Sequence, residues 1–181
     1  MGEALAAGSP HPDNVVPALL GGAVLVIDIE TDRTRGAFGR LELMRLPIPS
    51  GLRAVVASPD LELRTADARR ALPATVPHGD AVFNAGRLAL LVGAFFTGEI
   101  DRLAVAVADR LHQPYRIPLV RGFRDAEAAA LGAGALAVGL SGSGPSMFAF
   151  ARDSEADAVA RALVAGWAEA GVTARATVSR V

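Results

Sequence analysis

Residues 135–179 constrain the fold of this chain most strongly, because their pattern changes from strand to turn to strand to helix to strand. Two short apolar runs, 135–140 and 147–151, flank the turn sequence SGSGPS. Residues 154–170 then place apolar side chains at helical spacing, and residues 173–179 alternate between apolar and polar side chains. A hairpin followed by a helix and a third strand is typical of an antiparallel sheet with helices packed on it.

The segment before this pattern supplies one more strand and several helices. Residues 53–58 form an apolar run that predicts a buried strand. Thr65, Asp101 and Ser154 are predicted to be N-cap residues. From residue 51 onward the order is strand, helices, two strands, helix, strand, which predicts an α+β domain whose antiparallel sheet carries helices on one face. The helices are predicted at residues 65–72, 78–97, 101–111 and 122–133.

A turn cluster, PIPSG at 47–51, separates the first part of the chain from the rest. Residues 23–30 and 39–46 before it predict two strands. We therefore expect the remnant of one domain at 1–50 and a second domain at 51–181.

The sequence before the first predicted strand is helical in part. Residues 2–8 are good helix formers without an N-cap, and we interpret them as the end of a helix whose beginning is absent. Residues 11–22, HPDNVVPALLGG, predict a loop and a short helical turn that ends at the two glycines.

Composition excludes several classes of chemistry. The 181 residues contain no cysteine and no lysine, which excludes disulfides, thiol catalysis and lysine-based mechanisms within this chain. The formal net charge of -1 predicts no nucleic-acid partner, and three histidines lack metal-ligand spacing. Uninterrupted apolar runs such as 88–96 are too short to cross a membrane. With Glu3 and no basic region at the N-terminus, we expect a cytoplasmic protein without a signal peptide.

The octet GLSGSGPS at 139–146 is the first segment that predicts chemistry. Glycines let a backbone approach a ligand closely, and successive N–H groups can bind an anion. The segment lacks the lysine of a Walker A loop, and a strand rather than a helix follows it, so it is not a dinucleotide-binding fingerprint. A tight connection between two strands remains the alternative interpretation.

Three further segments contain residues suited to binding a small charged molecule. Thr65 and Arg69 in TADAR are four residues apart on one helix face and can contact the same ligand. Arg116 in DRLHQPYR has a guanidinium that presents two parallel donors to a carboxylate. The segment from Glu3 to residue 22 contains HPDN. Taken singly, each would equally be a capping residue or a solvated side chain.

Taken together and in order, these four segments resemble the homoserine kinases of the GHMP small-molecule kinase family. The octet resembles the third conserved motif of that family. The resemblance runs from Glu3 to the C-terminus. It implies a ferredoxin-like α/β sandwich, the GHMP C-terminal domain, at 51–181, and a remnant of the GHMP N-terminal domain at 1–50.

The resemblance also implies an activity, cofactors and roles for individual residues. It implies transfer of the γ-phosphoryl group of ATP, with Mg²⁺, to the hydroxyl of L-homoserine in threonine biosynthesis, by a homodimer. Thr65 is then the catalytic residue near that hydroxyl, and Glu3 is the metal ligand. The substrate-binding residues are Asp13, Asn14, Arg69, Arg116 and Gly142, and the ATP-binding residues are Ser141, Gly142, Ser143 and Gly144.

One part of the family pattern is absent from this sequence. The ATP-phosphate motif of the family, P-x-x-x-G-L-G-S-S-A, does not occur, so we expect the chain alone to be inactive. Two alternatives stay open. The chain is a non-catalytic truncated or split-gene module that binds an amino acid or pairs with a missing N-terminal half, or it belongs to a GHMP kinase for another substrate such as mevalonate or a sugar.

Overall fold

The computed structural model describes residues 12–28 and 41–179 and divides the chain into two compact units, Met1–Ile48 and Pro49–Val181. Glu3 and the helix predicted at 2–8 lie outside the described residues.

Within residues 12–28 and 41–48, the first unit contains one helix and a two-stranded antiparallel sheet. Helix α1 spans Pro12–Leu20, where the sequence predicted a loop and a short turn. Strands β1, Ala23–Asp28, and β2, Leu41–Leu46, pair along their whole length. They lie within the two segments predicted as strands. Arg45 of β2 donates a hydrogen bond from Nη2 to the carbonyl oxygen of Leu20 at 2.9 Å, which ties the sheet to the end of α1.

The second unit is built on a four-stranded antiparallel sheet. The strands are β3 Leu52–Pro59, β4 Ala137–Leu140, β5 Met147–Arg152 and β6 Ala174–Val178. Their order across the sheet is β4-β5-β3-β6, and every neighbouring pair is antiparallel. This is the strand order of a ferredoxin-like sandwich, so the predicted fold class is confirmed.

Six α-helices belong to the second unit. They are α2 Thr65–Arg70, α3 His78–Thr97, α4 Leu103–Ala106, α5 Gln113–Arg116, α6 Phe123–Gly132 and α7 Ala156–Glu169. Short 3₁₀ turns at Ile100–Arg102 and Ile117–Leu119 lead into α4 and out of α5.

The core lies between one face of the sheet and helices α6 and α7. Trp167 of α7 is fully buried, and Phe123 of α6 is 1% exposed. Alternate residues of β5 point into this core, so that Met147, Ala149 and Ala151 are buried while their neighbours are only partly covered. Helices packed on one face of an antiparallel sheet are what the sequence predicted, and the burial of every second residue of β5 follows from that packing.

A helix also touches the other face of the sheet, so the prediction of helices on one face is incomplete. Phe95 of α3 meets Phe150 of β5 edge to face, with ring centroids 6.0 Å apart. Phe148 packs against Phe150 at 5.3 Å. Val56 of β3 on that side is 41% exposed. Helix α3 therefore covers the β5 part of this face and leaves part of β3 open.

The predicted N-caps are wrong. Thr65 is the first residue of α2, and Arg64 occupies the cap position without a side-chain hydrogen bond. Helix α7 is preceded by Glu155, not by Ser154. Neither cap residue makes a side-chain hydrogen bond to its helix, and a cap contributes only about 1 kcal/mol, which is little against the other contacts of a helix.

The prediction of a single helix at 101–111 is also wrong. The segment is divided into a 3₁₀ turn, the four-residue α4 and a turn after Ala106, and Asp101 caps neither helix. Asp109 accepts hydrogen bonds from the backbone N–H groups that follow it. This local bonding replaces the helical i to i−4 pattern and ends the helix early.

Helix α3 as a whole is long and apolar enough to cross a membrane, although its uninterrupted apolar runs are short. Its mean hydropathy is 1.3 over a window of which 11% is buried. One such helix among the described residues is weak evidence for a membrane protein. Asp80 and Asn84 of this helix bind Arg110 and Asp109 of the second unit.

Replacing Gly166 with alanine should destabilise the second unit. A Cβ atom at Gly166 would lie 2.5 Å from the Cα of Ala126 in α6, which is backbone and cannot move aside cheaply. We expect the free energy of unfolding to fall by about 1–3 kcal/mol in urea denaturation. Gly132→Ala is the control, because a Cβ there meets nothing within 4 Å. Equal stability of the two variants would contradict this account of the α6–α7 contact.

Candidate functional site

Asp109 organises the turn that precedes α5. Its Oδ2 accepts hydrogen bonds from the backbone N–H groups of His112 at 2.9 Å and Gln113 at 2.5 Å. Its Oδ1 accepts from Leu111 N at 3.1 Å and from Asn84 Nδ2 at 2.6 Å. The Asp109 side chain is 8% exposed. One buried carboxylate thus fixes the turn and ties it to α3.

The charge of Asp109 is stabilised by these same contacts. Burial alone would raise the pKa of its carboxyl group, but the hydrogen bonds from Asn84 and from the backbone of Gln113, His112 and Leu111 outweigh burial and lower the pKa. Charge-assisted hydrogen bonds are about twice as strong as neutral ones. The carboxylate therefore stays ionised at neutral pH.

Gln113 connects this turn to the end of β4. Its Nε2 donates to the carbonyl oxygen of Val107 at 3.3 Å, and its Oε1 accepts from the backbone N–H of Leu140 at 3.0 Å. A Cβ at Gly139 would lie 2.8 Å from Phe148 and 3.1 Å from Gln113 Oε1. The first glycine of the octet is therefore needed for the close packing of β4.

Arg116 links three segments that are distant in sequence. It ends α5, donates from Nε to the carbonyl oxygen of Ala68 in α2, and donates from Nη1 to the carbonyl oxygen of Gly142, both at 3.3 Å. These contacts place its guanidinium between α2 and the octet, with donors still available because a guanidinium has five N–H groups.

Arg69 lies close enough to Arg116 to affect its ionisation. Burial lowers the pKa of Arg116, the positive charge of Arg69 lowers it further, and Asp109 raises it. An arginine stays protonated at neutral pH in spite of such effects. The structure therefore brings together the two arginines that the sequence predicted to share a ligand, and it concentrates positive charge beside the octet.

The octet ends β4 with the buried residues Gly139 and Leu140, and its residues 141–146 form a loop to β5 that is exposed at Ser141 and Gly142 and half-buried beyond them. Ser141 N donates to Ser146 O at 2.8 Å, and Gly144 N donates to Ser141 O at 3.1 Å. Gly142 has a φ of 61°, in the left-handed region that favours glycine. Ser146 Oγ lies 3.2 Å from Ser58 Oγ of β3, which anchors the end of the loop. Among the backbone hydrogen bonds of the described residues, none is donated by Gly142 or Ser143.

His112 does not act as a cation at this site. Burial lowers the pKa of its imidazole, Asp109 raises it and Arg116 lowers it, and the net shift is downward. Its Nδ1 atom is buried without a hydrogen-bond partner among the described residues. A neutral imidazole at this position fits a structural role.

Several predicted site residues are not brought into this cluster by the described contacts. Asp13 and Asn14 lie in the first turn of α1 in the first unit, and Glu3 lies outside the described residues. Thr65 begins α2, four residues before Arg69. No group of three or more acidic or histidine residues that could hold a metal ion occurs within 12–28 and 41–179. The roles assigned to these residues stay predictions.

The sequence analysis missed the roles of Asp109 and Gln113. Both occur in DRLHQPYR, in which only Arg116 was predicted to bind a ligand. An aspartate a few residues before a proline-containing turn is a known capping signal and could have identified the first. Nothing in the local sequence indicates that Gln113 reaches Leu140, since that contact spans 27 residues.

Comparison with known proteins gives one matching family profile, described as GHMP kinases C terminal, over residues 91–169. The chain is 50% identical over 160 residues to a homoserine kinase of Gloeobacter violaceus, which covers 88% of this chain and 50% of that protein. It is 45% identical over 168 residues to a homoserine kinase of Parasynechococcus marenigrum, covering 93% of this chain and 51% of the other. The chain spans about half the length of the curated relatives it matches.

Solved structures agree with the sequence relatives. A crystal structure of homoserine kinase from Cytophaga hutchinsonii superposes with a TM-score of 0.86 at 35% identity, covering 99% of this chain and 55% of that one. Mevalonate kinase from L. major superposes with a TM-score of 0.64 at 18% identity, over 93% of this chain and 51% of that one, which shows a shared fold alone.

Substituting Asp109 with alanine should destabilise the chain, because Asn84 and three backbone N–H groups lose their acceptor. We expect the free energy of unfolding, measured by urea denaturation at pH 7, to fall by about 2–3 kcal/mol. Asp101→Ala is the control, because that side chain is 78% exposed and pairs with Arg152 at the surface, so its loss should cost less than about 1 kcal/mol.

The effect of Asp109→Ala should depend on pH in a definite direction. A carboxyl group with a lowered folded-state pKa contributes stability above its unfolded value of about 3.9 and loses it as pH falls through the folded value. The difference in the free energy of unfolding between wild type and variant should therefore shrink below pH ~4. A difference that stays constant between pH 7 and pH 3 would argue against an ionised Asp109.

Proposed function

Because this chain belongs to the GHMP kinases and carries their C-terminal domain in the form found in homoserine kinases, we propose that it is the substrate-binding part of an ATP-dependent L-homoserine kinase. The full reaction would transfer the γ-phosphoryl group of ATP to the homoserine hydroxyl and give O-phospho-L-homoserine, a step of threonine biosynthesis. The observation that carries this proposal is the position of Arg116, held by Ala68 and Gly142 beside Arg69.

In this proposal the two arginines bind the substrate carboxylate. Burial is the main cause of the lowered pKa of Arg116, and repulsion by the nearby guanidinium of Arg69 lowers it further. A carboxylate bound between them would relieve that repulsion and accept parallel hydrogen bonds. An amino acid anchored in this way presents its other end to neighbouring groups, and Thr65, one helical turn before Arg69, would stand near the acceptor hydroxyl.

The substrate ammonium group needs acceptors of opposite charge or polarity. We assign this part of the pocket to Asp13 and Asn14 of α1, on the resemblance to homoserine kinases. With the carboxylate and the ammonium group both bound, an α-amino acid is favoured over a sugar or an uncharged alcohol. The identity of 45–50% to two homoserine kinases supports homoserine as that amino acid.

The phosphates of the nucleotide would bind this chain at the octet. The loop from Ser141 to Gly144 is exposed or half-exposed and includes the backbone N–H groups of Gly142 and Ser143, which suit an anionic phosphate. Mg²⁺ neutralises phosphate charge in phosphoryl transfer, and we assign Glu3 as its carboxylate ligand. Catalysis of this reaction rests on positioning and charge neutralisation, which is the contribution these residues would make.

The rest of the ATP site would come from sequence that this chain does not contain. We propose that an N-terminal half with the family's phosphate-binding motif is the natural partner of this chain, and that the complete enzyme works in the cytoplasm, where ATP and amino acids are available. Without that motif this chain is expected to bind the amino acid without phosphorylating it.

Replacing Arg116 with alanine should weaken homoserine binding by at least about 10-fold, because a charge-assisted hydrogen bond contributes about 1.5–3 kcal/mol. Arg116→Lys should also bind weakly, since an ammonium group lacks the second parallel donor. Binding to the purified chain is measured by NMR titration. Arg124→Ala is the control, because Arg124 is exposed and pairs with Glu127 on α6. Unchanged affinity in Arg116→Ala would contradict the assignment.

The purified 181-residue chain should form no phosphohomoserine from ATP and homoserine. Loss of the phosphate-binding nest removes most of the positioning on which phosphoryl transfer depends. The measurement is detection of phosphohomoserine by mass spectrometry, with a full-length homoserine kinase as the positive control. Turnover by the chain alone would refute this expectation.

A further inference from the structure

Strand β6 lies at one end of the four-stranded sheet and pairs with β3 on one side only. The hydrogen bonds beside its two ends show which backbone groups face β3. Asp60 N donates to Thr173 O at 2.7 Å, and Ser179 N donates to Ala54 O at 2.8 Å. Because facing residues alternate along an antiparallel pair, residues 175 and 177 also face β3, and residues 174, 176 and 178 turn their N–H and C=O groups outward.

These outward backbone groups have no backbone partner in the described part of the chain. We call this side of the strand the outer edge of β6, defined by Ala174, Ala176 and Val178. Within 12–28 and 41–179, no strand or loop forms backbone hydrogen bonds with it. An unpaired strand edge is a template on which a further extended segment can pair.

Two grooves flank the outer edge of β6, one on each face of the sheet. The groove on the helix side has a volume of about 760 Å³, and its lining includes Arg53, Asp157, Ala160, Arg161, Ala176 and Val178. The groove on the other face has a volume of about 530 Å³ and is lined by Ala54, Val56, Ser58, Arg175, Thr177 and Ser179. In a strand added to this edge, successive side chains would point alternately toward the two grooves.

The charged side chains around these grooves favour an acidic partner. Arg161 and Arg175, one on each side of the edge, form no hydrogen bond or ion pair with another described residue. Arg53 pairs with Asp153, and its side chain is 28% exposed. Of the described residues that line the grooves, Asp157 alone is acidic. The charge balance is therefore positive, with three arginines against two aspartates even when Asp153 is included.

This charge balance distinguishes between possible occupants of the edge. Pairing β6 with the same strand of a second copy would bring the excess positive charge of both copies to one interface, and like charges on neighbouring strands are destabilising. An acidic segment would instead place carboxylates within reach of Arg161 and Arg175. A guanidinium binds a carboxylate through two parallel hydrogen bonds, which are stronger than neutral ones.

We propose that the outer edge of β6 is a docking site for an acidic, extended segment of another protein, which adds a strand to the sheet. Backbone hydrogen bonds to the edge would supply affinity, and the arginines would supply specificity. Because an arginine lies on each face, the segment needs acidic side chains on both of its faces and small or β-branched residues between them. This interaction involves neither ATP nor an amino acid, so it is independent of the proposed kinase activity.

Fluorescence anisotropy with the purified 181-residue chain tests the proposal. The probe is the fluorescein-labelled peptide GTEVEEVTG, which carries glutamates on both faces when extended. It should bind with a dissociation constant on the order of 10–100 µM, because a short strand forms few hydrogen bonds. The peptide GTQVQQVTG should bind at least about 10-fold more weakly. Binding of the acidic peptide should also weaken when NaCl is raised from ~0.05 to ~0.5 M, because salt screens exposed charges.

Backbone methylation of the probe tests the edge geometry without changing the protein. Methyl groups on the nitrogens of alternate peptide residues remove hydrogen-bond donors from one side of the bound strand only. Of two probes that are methylated on the two alternate sets, one should bind about as well as the parent peptide. The other should bind at least about 10-fold more weakly, because its donors to β6 are lost.

Variants of the chain test the same contacts from the other side. Ala176→Pro removes an outward N–H group that does not bond β3, which an edge strand tolerates, and it should weaken binding at least about 10-fold. Arg161→Gln and Arg175→Gln should each weaken binding about 3- to 10-fold. Arg124→Gln is the matched control, because Arg124 pairs with Glu127 and lines neither groove. Circular dichroism checks that each variant is folded.

Three outcomes would overturn the proposal. The first is absence of binding of the acidic peptide up to ~1 mM, and the second is equal binding of the glutamate and glutamine peptides or of the two methylated probes. The third is self-association of the chain, measured by sedimentation velocity, that Ala176→Pro abolishes, since a second copy would then occupy the edge. The comparison of methylated probes decides the question even if Ala176→Pro fails to fold.

Discussion

Asp109 places a buried carboxylate at the point where α3, the turn before α5 and the end of β4 come together. It accepts four hydrogen bonds, three of them from consecutive backbone N–H groups. Gln113, fixed by that turn, reaches the backbone of Leu140 just before the octet. Arg116, at the end of the same short helix, reaches α2 and Gly142. The geometry of the candidate site therefore depends on one capped turn.

The sandwich behind this site supplies rigidity. Trp167 and Phe123 fill the space between α7, α6 and the sheet, and Gly166 lets the two helices approach to backbone contact. A core packed this closely resists rearrangement, since interior packing has little free volume. Strands β4 and β5 then present the octet at a fixed edge of the sheet, while the loop itself stays exposed. A rigid scaffold that carries an exposed glycine-rich loop is a common arrangement for ligand binding.

Helix α3 is held to the candidate site by polar side chains. Asn84 reaches Asp109, and Asp80 reaches Arg110. These contacts connect the long helix to the turn that holds Gln113 and Arg116.

The sequence by itself determined the six strands that occur within 12–28 and 41–179, the long helix α3 and the class of the fold, because period-two and helical patterns are local and follow from which face is buried. It also predicted Arg69, Arg116 and the octet to belong to one site, through their joint resemblance to homoserine kinases. Only the tertiary structure decided where helices begin, as at Thr65 and Ala156, and that the segment 101–111 is broken. Three of the interactions at the site join residues that are 25 or more apart in the chain. They are those of Asn84 with Asp109, Gln113 with Leu140, and Arg69 with Arg116. Such contacts are set by packing of whole elements, which no local propensity records.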